Sequence, residues 1–206
     1  MLTPKLALAG QILHHKIDEY WSFTLTGLPI ILETLPNLNF HPMSERGLQR
    51  VIDRIAGTLA RDFLVQTTVN NLREVLNVDR VVLYYFYDEW EGRVTIESLS
   101  SEQFSILGSS GPDECFNDEY AQMYREGRVR AIADIETEPI HPCHRDFLRT
   151  MQIRANLAVP VLQREKLWGL LIAHHCQDIH SWLLSDIEVM QKAAKTLAMT
   201  SAIQQS

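Results

Sequence analysis

The sequence predicts an α+β domain, an antiparallel sheet with helices before and after it packed on one face. Three observations lead there. Residues 44–77 carry apolar side chains at helical spacing. Two pairs of β-branched, alternating segments follow, 80–87 with 93–99 and 156–163 with 167–176, each pair joined by a short polar turn. A last helical pattern then runs from about Leu184 to Gln204. The other face of the sheet is expected to hold a ligand under the loops around 100–116 and 134–154.

In chain order, Thr3-Pro4 is a helix start, a capping hydroxyl followed by proline at the first helical position. Leu6, Ala9, Leu13, Ile17 and Tyr20 then predict one amphipathic helix over 4–22. Pro29, Pro36 and Asn37-Leu38-Asn39 mark a connector, so a boundary is placed between 1–43 and 44–206. Ser44 is a cap for a second helix, in which Leu48, Ile52, Ile55 and Leu59 alternate four and three apart, the seam of a helix–helix contact. A third helix is expected to carry Leu64, Leu72, Val75 and Leu76 and to end near Asn77.

Glu89-Trp90-Glu91-Gly92 is the turn of the first hairpin, and Gly108 to Pro112 is a loop. Asn117 or Asp118 caps a short helix closed by Gly127, and Val129 to Ile135 reads as a strand. Another short helix follows Pro142, and Arg164-Glu165-Lys166 turns the second hairpin. In the last helix Ile187, Met190, Ala194 and Leu197 form an apolar seam that weakens at Ser201. That seam suits packing on its own domain or pairing with a second copy.

Composition excludes several classes. The 206 residues are 46% apolar, enough for a core, and the net charge of −7 argues against a nucleic-acid surface. No apolar run approaches a membrane span, and no secretory signal is evident. Three cysteines without dense spacing suit free thiols in a reducing cytoplasm better than a disulfide framework.

The stretch His141-Pro142-Cys143-His144 is the centre of interest. A thiol at a helix N-terminus beside an imidazole is favoured as thiolate, hence as a nucleophile. Taken alone, the stretch reads rather as a part-buried cysteine beside a surface histidine. Asp113-Glu114-Cys115-Phe116 holds a second thiol in a Gly/Pro loop, with Asp113 and Cys115 facing the same way if the segment is extended. Arg128 and Arg130 alternate, and fit either a carboxylate anchor or surface ion pairs. His174-His175-Cys176 suggests zinc, but neighbours on a strand point to opposite faces and no Cys-x-x-Cys pair occurs. A cysteine-protease pair lacks a visible third group, and no phosphate-binding glycine loop is present.

Taken in order, Asp113-x-Cys115-Phe116, Tyr120, Tyr124, Gly127-Arg128-Val129, Asp134-Ile135, Cys143-His144, Arg154-Ala155-Asn156-Leu157 with Pro160, and Leu167-Trp168-Gly169-Leu170-Leu171-Ile172-Ala173-His174 resemble the photosensory GAF domains of cyanobacteriochromes. The Asp-x-Cys-Phe, dual-cysteine class is the close match, over about 44–203. The resemblance implies a GAF-like sandwich and a photoreceptor rather than an enzyme. Its pigment would be a covalent linear tetrapyrrole, phycocyanobilin and/or phycoviolobilin. It assigns the thioether to Cys143 and reversible addition at the central methine bridge to Cys115. Asp113 becomes the acceptor for pyrrole N–H groups, His144 a ring contact, Arg128 a propionate partner, and His174 a neighbour of ring D or a propionate. Trp90, Phe104, Phe116, Tyr120 and Tyr124 are candidate lining residues. A homodimer through the terminal helices and an unidentified output partner complete the expectation. The runner-up is a GAF-like module that binds another small ligand, such as a cyclic nucleotide, or serves dimerisation alone; a thiol enzyme comes third.

Overall fold

The computed structural model describes residues 45–88, 91–111, 118–164 and 166–204, without the side chains of 45 and 118–120. The expected helix over 4–22, the connector, the Ser44 cap and the Asp113–Phe116 stretch lie outside the described residues. So do the side chains of Trp90 and Tyr120.

Helix α1 runs unbroken over Glu45–Leu76, where the sequence reading expected two helices. No proline interrupts the 32 residues, and Gly57 sits in open space, where the lack of a Cβ costs only helix propensity. The C-terminal half buries Val65, Val69, Leu72 and Leu76 against the sheet. The N-terminal half instead leaves Leu48, Ile52, Ile55, Leu59 and Phe63 exposed. Asn77 ends the helix in the left-handed region (φ 51°), with Val78 N–H returning to the Arg73 carbonyl.

Five strands follow as a single antiparallel sheet: β1 Arg80–Phe86, β2 Gly92–Leu99, β3 Arg130–Ile132, β4 Ala155–Gln163 and β5 Lys166–His175, in the order β2-β1-β5-β4-β3. Both expected hairpins form. The strand read over 129–135 shortens to three residues. Beyond Ala158 the β3 pairing stops, so β4 is an edge at Pro160, where a missing N–H interrupts no ladder.

Between strands lie α2 Asp118–Arg125 and α3 Pro142–Thr150. After β5 come α4 Leu184–Met199 and a final turn, α5 Ser201–Gln204. The single last helix read from the sequence is therefore broken at Thr200. That residue is extended (ψ 143°), caps α4 through its hydroxyl to the Leu197 carbonyl, and offers its own carbonyl to Ile203 and Gln204. The break turns Ile203 fully into the core.

The sheet pleat sorts side chains by parity. Val81, Leu83, Leu157, Val159, Val161, Leu171 and Ala173 face α1 and α4 and form the main core with Met190, Ala194 and Leu197. Val82, Tyr84, Phe86, Asn156, Ala158, Leu170, Ile172 and His174 face the other way, towards α2 and α3.

The fold makes unequal demands on similar residues. A Cβ on Gly169 would sit 2.7 Å from the Tyr84 carbonyl oxygen, so Gly169→Ala is expected to cost about 1–3 kcal/mol. Leu171→Ala, in the fully buried core, should cost about 2–5 kcal/mol. Leu59→Ala, at a side chain 64% exposed, should stay within about 0.5 kcal/mol. Urea midpoints of the three variants check the ranking.

Candidate functional site

Between the second face of the sheet and α3 lies a cavity of about 280 Å³, near the lower end of the range for small-ligand pockets. Its floor is Val82, Tyr84, Phe86, Ala158, Leu170 and Ile172 from the strands, with Asn156 and His174 at one end. Its roof comes from Ile140, His144, Phe147, Leu148 and Met151, and its side from Tyr124, Arg128 and Arg130.

The roof is held by local sequence. Pro142 opens α3, and the His141 side chain caps it by accepting the Cys143 N–H through Nδ1 at 3.3 Å. Arg145 ties the preceding loop to α3, donating to the carbonyls of Ile135 and Glu138, each at 2.8 Å. Arg154 holds Asp134 at 3.0 Å, and Arg149 bridges Glu136 and Asp146. At the far end the Tyr84 hydroxyl donates to the Gly92 carbonyl and accepts the Gly111 N–H, both at 2.8 Å.

Cys143 is at the second position of α3, half-buried, with His144 next to it lining the cavity. The expectation of free thiols needs correction here. Cys143 is disulfide-bonded, while Cys176 is a free thiol. Pairing follows tertiary proximity, which sequence spacing does not reveal. Cys176 packs half-buried, its pKa pushed up to about 11 chiefly by burial. Among the described residues no three histidine, cysteine or carboxylate groups could hold a metal.

Both arginines reach the cavity, and its described lining holds no carboxylate. Arg128 contacts the Met123 sulfur at 2.7 Å, while Arg130 pairs with Glu138 at 2.8 Å. The ion-pair reading therefore holds for Arg130, which also lines the cavity. Tyr124 lines the wall, closely buried. Phe104 is buried beside the cavity without lining it; its carbonyl accepts from Arg80.

Two residues carry roles that the sequence reading missed. Arg80 is completely buried, and Asn156 is buried with its Oδ1 unpartnered. A faint signal existed for each: a charged residue opening a β-branched strand, and an amide inside the apolar run Ala155-Asn156-Leu157-Ala158.

A family model described as "GAF domain" matches residues 61–200. The chain belongs to the GAF domain family. An uncharacterised protein of Picosynechococcus is 49% identical over 156 residues, 76% of this chain and 96% of that protein. A putative methyl-accepting chemotaxis protein of Synechocystis is 32% identical over 142 residues, 69% of this chain but only 14% of that protein's length. Among solved structures, the blue-light absorbing form of the Thermosynechococcus elongatus PixJ GAF domain superposes with TM-score 0.67 at 31% identity, covering 73% of this chain and 88% of that one. The phycocyanobilin-bound GAF domain from a cyanobacterial phytochrome gives TM-score 0.65 at 28% identity, covering 77% and 92%.

Two histidines of this GAF domain's cavity are held neutral. Burial, then the Arg130 and Arg128 charges, push the His144 pKa below its ordinary value. Burial and Arg80 push that of His174 well below it. The unfolded chain takes up these protons near pH ~6.5, the folded chain only at lower pH. Stability is therefore full above that pH and falls as the pH drops, by up to ~1.4 kcal/mol per pH unit for His174. Urea unfolding between pH 8 and pH 5 should show this slope, and His174→Gln should flatten it.

Proposed function

We propose that this chain is a bilin-binding photoreceptor domain of the dual-cysteine class, with 44–206 as the pigment-binding unit and 1–43 as a helical extension. One observation carries the reading: α3 holds Cys143 next to His144, and His144 lines an apolar cavity that two arginines enter and no described carboxylate lines. The fit to a linear tetrapyrrole rests on the same surfaces. Apolar strand residues suit the pyrrole plane, Arg128 and Arg130 suit propionates, and the unpartnered Asn156 Oδ1 calls for a ligand donor. The structural neighbours include a phycocyanobilin-bound GAF domain.

The pigment supplies light absorption and isomerisation at the bridge to ring D. Cys143 would hold the pigment by a thioether to its A-ring side chain, and Cys115 would be the second, reversible attachment at the central methine bridge, on which the blue- or violet-absorbing state would depend. Asp113 would accept pyrrole N–H groups, His144 would pack on the rings, and Phe116 and Tyr124 would line them. Phycocyanobilin, phycoviolobilin or both are the pigments proposed. The terminal helices pass the change to an output partner, and the exposed Leu48–Phe63 stripe of α1 is where a homodimer would form. No described helix is long and apolar enough to cross a membrane, and a cytoplasmic site is part of the proposal.

Pigment production in cells supplied with phycocyanobilin tests this. Cys143→Ala should lose pigment that survives denaturing electrophoresis; retention would overturn the anchor. Cys115→Ala should stay in long-wavelength absorption under all illumination. A colourless wild-type protein would favour a GAF module for another small ligand.

The disulfide at Cys143 adds a condition, since a sulfur in a disulfide is no nucleophile. Purified protein in its oxidised form should take up no covalent phycocyanobilin until a dithiol reductant opens the bond. Equal uptake with and without reductant would sink this requirement.

A further inference from the structure

A depression of about 510 Å³, open to solvent, is lined by Arg125, Gln163, Arg164, Lys166 and Gln204. It shares no residue with the cavity between the sheet and α3. Arg125 ends α2, Gln163 ends β4, Lys166 opens β5 and Gln204 ends α5. Residues far apart in the chain thus meet at one spot.

Buried neighbours hold them there. Tyr124, Leu167 and Ile203 are core residues, and Arg125, Lys166 and Gln204 stand directly beside them in the chain. Gln163 pairs with Lys166 across the hairpin, and its Nε2 donates to the Ile203 carbonyl at 2.9 Å. That bond ties the β4–β5 turn to α5. Arg164 turns the chain with φ 58°, in the left-handed region that glycine and asparagine occupy with less strain. The turn therefore carries a long cation where a smaller residue is the easier choice.

Arg125, Arg164 and Lys166 are all exposed, and the described lining of the depression holds no carboxylate. Arg164 and Lys166 form no ion pair among the described residues. The chain as a whole carries a net charge of −7. A knot of positive charge on an acidic protein is a local field that draws anions, and its self-repulsion is relieved when one settles between the cations.

We propose that this depression docks an acidic segment of a partner protein, its carboxylates on Arg125, Arg164 and Lys166 and its backbone amides on Gln163 and Gln204. Arginine takes a carboxylate in a forked, two-point contact. Two features select a peptide over a phosphate. The depression is open rather than enclosed, which suits a chain that enters and leaves it. A carboxamide both donates and accepts; a peptide backbone meets both functions, whereas a fully ionised phosphate offers acceptors only. A partner seated here touches the β4–β5 hairpin and α5 at once. The inference goes beyond the pigment reading and does not rest on it.

Fluorescence anisotropy of a fluorescein-labelled hexaglutamate peptide, titrated with the full chain free of pigment, tests this. The peptide should bind at low salt, and about 0.5 M sodium chloride should remove most of the binding by screening. Arg164→Gln combined with Lys166→Gln should weaken it about 3–30-fold, the loss of two exposed ion pairs. Arg164→Asn suits the left-handed turn better, so it should raise the urea midpoint and still lose affinity, which separates binding from folding. No binding by the wild type, or undiminished binding by these variants, would overturn the proposal. Tripolyphosphate, measured by displacement of the peptide, distinguishes the occupants. Gln204→Leu should weaken the peptide about 2–10-fold, as for one lost hydrogen bond, and leave tripolyphosphate unchanged. An unaltered peptide affinity, or an equal loss for both ligands, would overturn the peptide assignment. None of these measurements uses pigment, so their failure leaves the photoreceptor reading as it stands.

Discussion

The two-residue pleat of the central strands is the constraint on which the molecule depends. Along β1, β4 up to Val161 and β5 from Leu170, odd-numbered residues meet α1 and α4 in a dry core and even-numbered residues face the cavity; past the bulge at Val161/Leu162 the order reverses, with Trp168 in the core and Leu167 on the other face. A slip of one residue in any of these strands would exchange the two sets. Val81 and Leu83 would then face the ligand side, and Asn156 and His174 would be driven into the hydrocarbon core. Burial on both faces therefore specifies register twice over. It also explains why strands so apolar can carry a polar row, Arg80, His174 and Asn156 in register across β1, β5 and β4, without losing their pairing.

That row joins stability to the site. A buried guanidinium is unfavourable unless its donors are met, and here two carbonyls and an imidazole meet them. The carbonyls belong to Phe104 and Met151, which stand in separate connections far apart in the chain. Arg80 thus pins the turn after β2 and the end of α3 to the sheet, and so helps set the width of the cavity. The same side chain suppresses the charge on His174. Scaffold and ligand chemistry are not separable at this position.

The helices show the limit of periodicity. Leu48, Ile52, Ile55 and Leu59 have the spacing of a packed seam, yet within the described chain they face solvent. Val65, Val69, Leu72 and Leu76 have comparable spacing and are core. Spacing defines a face and does not say whether another surface covers it. The break at Thr200 is similar. A threonine is tolerated within a helix, but here its hydroxyl competes for the Leu197 carbonyl, and the turn lets Ile203 reach the core.

By itself the sequence determined the strands, their hairpins and the α+β class, because alternation, turn residues and proline positions are local signals with local causes. It also singled out, through ordered motifs, His144, Arg128 and His174, which the fold brings to one cavity. Only the tertiary structure decided that Arg80 and Asn156 stand beside His174, residues 94 apart in one case and paired across β4 and β5 in the other. Only it decided that Cys143 is disulfide-bonded and that α1 is one helix. Register, burial and partner choice depend on which distant surfaces meet, and no window along the chain contains both partners.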